Sequence, residues 1–221
     1  GWPGDLSRLG DATRAAALEQ LDALRTVPGE LTGEEVRAYY EDFANGVLWP
    51  VFHYLLDRIP LRSTGWDVYR RVNAKFADAV AAHHRPGDVV WVHDYQLLLL
   101  PGLLRERLPD ARIGFFVHIP FPASEVLRML PWREDVLRGM LGADLLGFHT
   151  PSYARHFASA TVRILGLEPV LDELTAFGRR IRFRAFPMGI DAATFSGPGE
   201  PLEDDFKPAP GERLMLGVDR L

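Results

Sequence analysis

The chain has 221 residues, 47% hydrophobic and 25% charged, which is enough to build one large globular domain with a full core. Its net charge is −5, from 25 basic and 30 acidic residues, and no long basic run suggests a surface for nucleic acid or anionic membrane. The sequence contains no cysteine, which excludes disulfides and thiolate chemistry and agrees with a cytoplasmic protein, and its most apolar run, 97–104, is too short to cross a bilayer.

The first third of the chain predicts helices. Residues 11–26 have helical composition, and 31–57 predicts two helices, of which the first begins with Thr32 and Glu35 at capping-box spacing. A further helix is predicted over Trp66–His83, before a Pro-Gly turn. The first of the two helices in 31–57 carries an apolar stripe: Val36, Tyr39, Tyr40 and Phe43.

From residue 89 onward, short β-branched runs alternate with helical segments. Strands are predicted at 89–93, 112–118 and 144–148, with helices at 97–107, 124–129, 133–141 and 152–165. Two more strands, near 168–174 and 180–187, flank Phe177-Gly178-Arg179 and predict a hairpin. This alternation predicts an α/β fold with a doubly wound parallel sheet.

The end of the chain differs in composition. Residues 197–211 are rich in proline, glycine and acidic residues, which is typical of a linker. Residues 212–221 then look like the first strand of a second domain. We therefore predict an N-terminal domain over 1–196, a linker over 197–211 and the start of a C-terminal domain at 212–221, and we expect the chain to be a fragment of a longer protein.

Polar residues follow two of the predicted strands directly. Asp94 comes after the strand at 89–93, and His118 ends the next one. In an open parallel sheet, ligands bind beyond the carboxyl ends of the strands, so these residues are candidates for a site. On residues alone, an aspartate here is also typical of a turn or helix cap and a histidine is also typical of a satisfied core group, and both interpretations stay open.

A metal site is a weaker hypothesis for the same region. His93, Asp94, His118 and His149 lie at strand ends, but no HxH or HExxH pair is present. The GxGxxG, GxxxxGK[ST] and GxSxG motifs are also absent from the sequence, which argues against Rossmann dehydrogenase, P-loop and α/β-hydrolase chemistry. We predict neither a metal nor a cofactor.

Five segments carry a family resemblance across essentially the whole chain, from Gly1-Trp2 to Leu221. The sequence resembles the trehalose-6-phosphate synthases in the order and spacing of these segments. The resemblance implies the Rossmann-like N-terminal domain of a GT-B glycosyltransferase that lacks the family's first strand and glycine-bearing loop. The segments are LWPVFHY (48–54), WVHDYQLLLLP (91–101), GFFVHIPFP (114–122), ADLLGFHTPSYARHF (143–157) and FPMGID (186–191).

The resemblance also implies roles for individual residues. It makes Asp94 a catalytic residue that binds hydroxyls of the acceptor sugar, and His118 a catalytic residue that contacts the donor sugar. Tyr40 and Trp49 match positions that flank the acceptor, with the tyrosine hydroxyl on its phosphate, and we expect them to line the cleft while Tyr39 and Phe43 pack inward. Two matches near the termini complete the set: Trp2 for the acceptor and Arg220 for the donor.

The implied reaction is transfer of glucose from UDP-, GDP- or ADP-glucose to glucose 6-phosphate with retention, giving trehalose 6-phosphate. The expected partners are these two substrates, with a homo-oligomer left open and neither nucleic acid nor membrane. The chain by itself is expected to be inactive. Two alternatives stay open: a related glucosylglycerol-phosphate synthase or cyclitol pseudo-glycosyltransferase, and a non-catalytic regulatory subunit of a trehalose-synthesis complex.

Overall fold

A computed structural model describes residues 6–58, 65–196, 209, 211, 213 and 215. Contacts divide the chain into two units, Gly1–Pro187 and Met188–Leu221. The first unit contains the whole sheet, and the second contains one described helix. The predicted linker and the predicted strand at 212–221 lie almost entirely outside the described residues, so the domain division remains a prediction.

A five-stranded sheet forms the centre of the first unit. Its order is β1-β2-β3-β5-β4, and β1, β2, β3 and β5 run parallel. This confirms the α/β class and the mostly parallel sheet. The strands are β1 (Val89–His93), β2 (Arg112–Val117), β3 (Leu145–Phe148), β4 (Glu173–Ala176) and β5 (Arg179–Ala185).

The fifth strand, β4, pairs with β5 in the antiparallel direction, as the predicted hairpin requires. Only Phe177 and Gly178 connect the two strands, with φ of 52° and 72°. Two residues with positive φ form a tight hairpin turn, whereas a parallel crossover needs a much longer connection. The predicted hairpin is therefore confirmed, although β4 begins at Glu173 rather than near 168.

Helices connect the strands, and none among the described residues is long and apolar enough to cross a membrane. Tyr95–Leu97 forms a short 3-10 turn between β1 and α5, so the helix predicted from 97 begins later, at Leu100. The helices are α1 (Asp11–Ala23), α2 (Gly33–Val36), a π-helix (Arg37–Leu48), α3 (Trp49–Phe52), α4 (Trp66–His83), α5 (Leu100–Arg107), α6 (Ser124–Leu127), α7 (Arg133–Met140), α8 (Pro151–Ala160), which continues as π-helix to Leu165, and α9 (Ala192–Phe195).

The predicted pair of helices in 31–57 is one continuous helical run over 33–52, comprising α2, the π-helix and α3. The capping box is present: the Thr32 hydroxyl accepts from the Glu35 N–H at 3.2 Å, and the Glu35 carboxylate accepts from the Thr32 N–H at 3.0 Å. Pro50 does not interrupt this run. Pro50 lies in the first turn of α3, where the π-helix gives way to α-helix, and the run continues to Phe52.

One face of the sheet packs against the helices. Val92, Phe115 and Leu146 point to this face and belong to the core cluster. Side chains alternate along a strand, so Val89 and Trp91 point to the other face, where they are 64% and 67% exposed. The helical face therefore holds the core, and the carboxyl ends of the parallel strands meet along one edge of the sheet.

At the amino ends of the parallel strands, Asp144, the residue before β3, accepts three hydrogen bonds. Its Oδ1 accepts from Arg105 at 2.8 Å and from Arg179 at 3.0 Å, and its Oδ2 accepts from the Ile113 N–H at 2.8 Å. Burial and the charge of Arg105 lower the pKa of the Arg179 guanidinium, whereas Asp144 raises it. This carboxylate therefore joins α5, β2 and β5 by charge and by hydrogen bonds.

We expect Asp144→Asn to lower the free energy of unfolding by about 1–2 kcal/mol, because two partly buried guanidinium groups lose their counter-charge. Urea denaturation monitored by circular dichroism measures this loss. Glu173→Gln is the matched control: Glu173 pairs with Arg182, which is 59% exposed, so we expect a loss of about 0.5 kcal/mol or less. Equal losses in the two variants would contradict the structural role of Asp144.

Candidate active site

The strand ends bring Asp94 and His118 together. β1 and β2 are adjacent and parallel, with His93 opposite Phe116 in register. Asp94 and His118 are the next polar residues beyond these two strands, and the His118 N–H donates to Asp94 Oδ1 at 3.1 Å. The predicted position of both residues at adjacent strand ends is confirmed.

Asp94 has an unusual backbone conformation, with φ of 71° and ψ of 172°. For a residue with a side chain this costs about 1–3 kcal/mol, and such residues cluster at functional sites. Part of the cost is offset locally, because Oδ1 also accepts from the Tyr95 N–H at 2.9 Å and the Asp94 N–H donates to the Phe116 carbonyl at 2.8 Å. Among the described residues, Oδ2 of Asp94 accepts no hydrogen bond, so it is free to bind a ligand.

Helix α4 supports the turn that follows Asp94. The buried Tyr69 hydroxyl donates to the Tyr95 carbonyl at 2.7 Å and accepts from the Leu98 N–H at 3.0 Å. One helical turn later, the Asn73 amide donates to the Gln96 carbonyl at 3.1 Å. Burial raises the pKa of Tyr69 well above its usual range, so its hydroxyl remains a proton donor. The backbone polar groups of this turn are thus satisfied from inside the core.

The segment after His118 is held by a buried ring as well as by its prolines. Phe121 is fully buried and makes edge contacts with the rings of Phe52, Phe148 and Phe157 at 5.5–5.6 Å. The Ala123 N–H donates to the Tyr54 hydroxyl at 2.7 Å. Packing of the Phe121 ring therefore fixes this segment in a way that its prolines alone do not.

Three histidine rings lie beside one another at the strand ends. Nδ1 of His93 is 2.9 Å from Nε2 of His118, and the ring of His149 is 5.7 Å from that of His118. Burial lowers the pKa of His118, as do the neighbouring His93 and His149, whereas the Asp94 carboxylate raises it. The lowered pKa leaves His118 neutral at neutral pH.

Phe116 lies behind this cluster, with its ring 4.6 Å from that of His118. A side chain on Gly147 would come within 2.5 Å of the Phe116 ring, so only glycine at this position allows the close approach. The described residues contain no group of three or more His, Asp or Glu side chains able to hold a metal. The facing nitrogens of His93 and His118 bond to each other instead of converging on an ion.

The predicted acceptor residues have different environments. Tyr40 is 38% exposed and lines a cavity of about 170 Å³ with His93, so it lies on the same side of the sheet end as the histidine pair. Trp49 is half-buried and packs on Tyr95, the residue after Asp94, with ring centroids 5.9 Å apart. Tyr39 and Phe43 are buried, as expected. Trp2 and Arg220 lie outside the described residues.

A larger cavity of about 530 Å³ lies elsewhere, against Trp91, His84 and the amino end of β1. Asp94 and His118 line neither cavity, but Tyr40 and His93 line the smaller one and not the larger one. In parallel α/β sheets, ligand sites form at the carboxyl ends of strands, so the smaller strand-end cavity is the better candidate despite its volume.

The profile of glycosyltransferase family 20 matches residues 5–201 of the chain. The chain belongs to glycosyltransferase family 20. The 56 kDa subunit of UDP-forming α,α-trehalose-phosphate synthase from Kluyveromyces lactis is 40% identical over 236 residues, which cover 100% of this chain and 47% of that protein.

Two solved structures are similar in fold. A UDP-forming α,α-trehalose-phosphate synthase from Burkholderia xenovorans in complex with glucose 6-phosphate has a TM-score of 0.68 and 37% identity, over 73% of this chain and 36% of that one. An Escherichia coli protein bound with UDP-2-fluoro glucose has a TM-score of 0.71 and 36% identity, over 76% of this chain and 39% of that one. This family 20 chain therefore spans less than half the length of each of these proteins.

Sequence reasoning missed the residues that support the site from behind. The sequence patterns place Tyr69 and Asn73 only in a helix, and they indicate for His93 only a possible metal ligand. One signal was available: Asn73 follows Tyr69 by four residues in α4, so both lie on one helical face. A polar residue on a buried face indicates a hydrogen-bond partner in the core.

We expect Tyr69→Phe to lower the free energy of unfolding by about 1–3 kcal/mol, because a buried carbonyl and a buried N–H lose their partner. Chemical denaturation gives this value directly. Tyr54→Phe is the matched control, since Tyr54 is 47% exposed and its partner N–H regains water, and we expect a loss below about 0.5 kcal/mol. If Tyr69→Phe is as stable as wild type, α4 does not support the Asp94 turn.

Proposed function

We propose that the protein transfers glucose from a nucleotide-glucose donor to glucose 6-phosphate with retention, giving trehalose 6-phosphate. The main support for this proposal is that Asp94 and His118 lie in contact at adjacent strand ends, in a chain that belongs to glycosyltransferase family 20. Both residues lie in segments on which the resemblance to the synthases rests.

The comparisons support the choice of substrates. The Kluyveromyces lactis relative is UDP-forming, and the two solved structures hold a UDP-glucose analogue and glucose 6-phosphate. We therefore favour UDP-glucose over GDP- and ADP-glucose as donor. A cytoplasmic location and a homo-oligomeric state remain predictions.

The geometry suggests how the acceptor is bound. Oδ2 of Asp94 faces no described donor, and a carboxylate oxygen accepts well from sugar hydroxyls. Tyr40 lines the neighbouring cavity, where its hydroxyl would donate to the phosphate. Trp49 would hold the sugar beside Tyr95, and Trp2 is assigned to the same substrate. The acceptor site is thus proposed to lie between β1 and the helical run over 33–52.

The donor sugar is assigned to His118, and its diphosphate to Arg220. Of the residues that directly follow the four parallel strands, only Asp94 carries a carboxylate, whereas a retaining glycosidase needs two. Catalysis is therefore proposed to depend on orientation of the substrates and on charge stabilisation of the departing diphosphate, which helps to deprotonate the incoming hydroxyl on the same face.

Asp94→Asn separates the binding role of this residue from its structural role. The amide oxygen can still accept from the Tyr95 and His118 N–H groups, so we expect unfolding to change by less than about 1 kcal/mol. The amide nitrogen cannot accept from hydroxyls, so we expect kcat/KM for glucose 6-phosphate to fall on the order of 100-fold. Release of nucleoside diphosphate is followed in the longest natural form of the protein.

Asp94→Ala is the companion variant, because it removes both functions and should lose stability as well as activity. If Asp94→Asn keeps wild-type activity, Asp94 is only a cap for the turn and the proposed acceptor contact is wrong. Wild-type protein that releases no nucleoside diphosphate with any nucleotide-glucose would refute the proposed reaction itself.

We expect His118→Ala to lower kcat far more than it lowers affinity for the nucleotide. The physical reason is that His118 is assigned to the reacting sugar, and an interaction made mainly in the transition state changes kcat. Steady-state kinetics and nucleotide titration by calorimetry give the two quantities. A normal kcat with only a raised KM for the acceptor would contradict the assignment.

A further inference from the structure

His93 and His118 form a direct pair at the carboxyl ends of β1 and β2. Nδ1 of His93 lies 2.9 Å from Nε2 of His118, which is hydrogen-bond distance. The rings are inclined by 27°, with centroids 5.1 Å apart. Trp91 lies 4.6 Å from the His93 ring and Phe116 lies 4.6 Å from the His118 ring. Each histidine ring of the pair therefore contacts an aromatic ring two residues earlier in the chain.

A hydrogen bond between two imidazole nitrogens needs one proton between them. If both nitrogens were protonated, two N–H groups would face each other, and if neither were, two lone pairs would repel. When the rings are neutral, two arrangements satisfy the bond. Either His93 donates from Nδ1 and His118 carries its other proton on Nδ1, or His118 donates from Nε2 and His93 carries its proton on Nε2.

The intrinsic preference of histidine decides between these arrangements. In water, a neutral histidine side chain carries its proton mainly on Nε2. The first arrangement places both rings in the less favoured Nδ1–H form, whereas the second keeps both in the favoured Nε2–H form. The second arrangement is therefore the lower in free energy.

We propose that His93 is a positioning residue that holds His118 in the Nε2–H tautomer, so that Nδ1 of His118 is left as a hydrogen-bond acceptor for substrate. The consequence for chemistry rests on the proposed function, which assigns His118 to the donor sugar. An acceptor nitrogen fixed at this position binds a sugar hydroxyl and does not bind a phosphate oxygen, which lacks a proton at neutral pH.

The groups around His118 favour its neutral state. Burial lowers the pKa of His118, as do His93 and His149, whereas the neighbouring Asp94 carboxylate raises it. Protonation of both rings would also break the bond between them. His118 is therefore neutral at neutral pH, which leaves Nδ1 able to accept a hydrogen bond.

The test is long-range ¹H–¹⁵N correlation spectroscopy of the histidine rings, which shows directly which nitrogen carries the proton. In the wild-type chain we expect His118 to show a protonated Nε2 and an unprotonated Nδ1, with a coupling across the bond to Nδ1 of His93. In His93→Ala we expect the two ¹⁵N shifts of His118 to converge, because both tautomers then exchange.

Two further variants make the comparison specific. His93→Asn places an amide oxygen near the position of Nδ1, so we expect it to restore the Nε2–H form. His149→Ala removes a ring that packs against His118, and among the described residues His149 makes no hydrogen bond to His118, so we expect the wild-type tautomer. A proton on Nδ1 of His118 in wild type, or identical ¹⁵N shifts in wild type and His93→Ala, would overturn the proposal.

The effect of His93 on catalysis is tested separately, by measuring kcat and KM in the longest natural form of the protein. We expect His93→Ala to lower kcat on the order of 10- to 100-fold with little change in KM for either substrate, and His93→Asn to recover most of it. If His93→Ala changes the tautomer but not kcat, His93 is not a positioning residue. That result differs from failure of the proposed reaction, in which the wild type itself would release no nucleoside diphosphate.

Discussion

The backbone of Asp94 is the constraint on which the candidate site depends. With φ of 71° it turns the chain sharply at the end of β1, so that the carboxylate points across to β2 and accepts from the His118 N–H. A residue in this conformation persists only when its surroundings fix it. Here the fixing contacts come from two directions: the neighbouring strand through Phe116, and the core through α4.

The contacts between α4 and the Asp94 turn contribute to the stability of the fold and also fix the position of the Asp94 carboxylate. The side chains of Tyr69 and Asn73 donate hydrogen bonds to backbone carbonyls of the Asp94 turn. The helix that fills the core therefore also determines where the carboxylate lies. The hydrophobic effect has no direction, and rings such as Phe43 contribute burial without orientation. The few buried hydrogen bonds provide the orientation.

Sequence alone predicts the parts of this site that follow from local rules. The positions of Asp94 and His118 are predictable because the carboxyl ends of adjacent parallel strands share an edge, and the Thr32 cap is predictable because capping is local. The Tyr69 contacts depend on how α4 packs on β1, which no local pattern contains. The continuous helical run over 33–52 also exceeds local rules: proline disfavours a regular α-helix, but the preceding π-helical turns accommodate Pro50.

Two aspartates at opposite ends of the sheet show how structure separates a binding group from a structural one. Asp144 accepts hydrogen bonds from two guanidinium groups and a backbone N–H, so its charge is paired with cations and both its oxygens are occupied. Among the described residues, the Asp94 side chain accepts hydrogen bonds only from backbone N–H groups, and these occupy one of its two oxygens. Its cap role and its proposed ligand role therefore do not compete, because Oδ1 fixes the geometry and Oδ2 keeps an unneutralised charge at the strand end. A carboxylate that is oriented by amides but lacks a cation partner can bind hydroxyls without first breaking an ion pair.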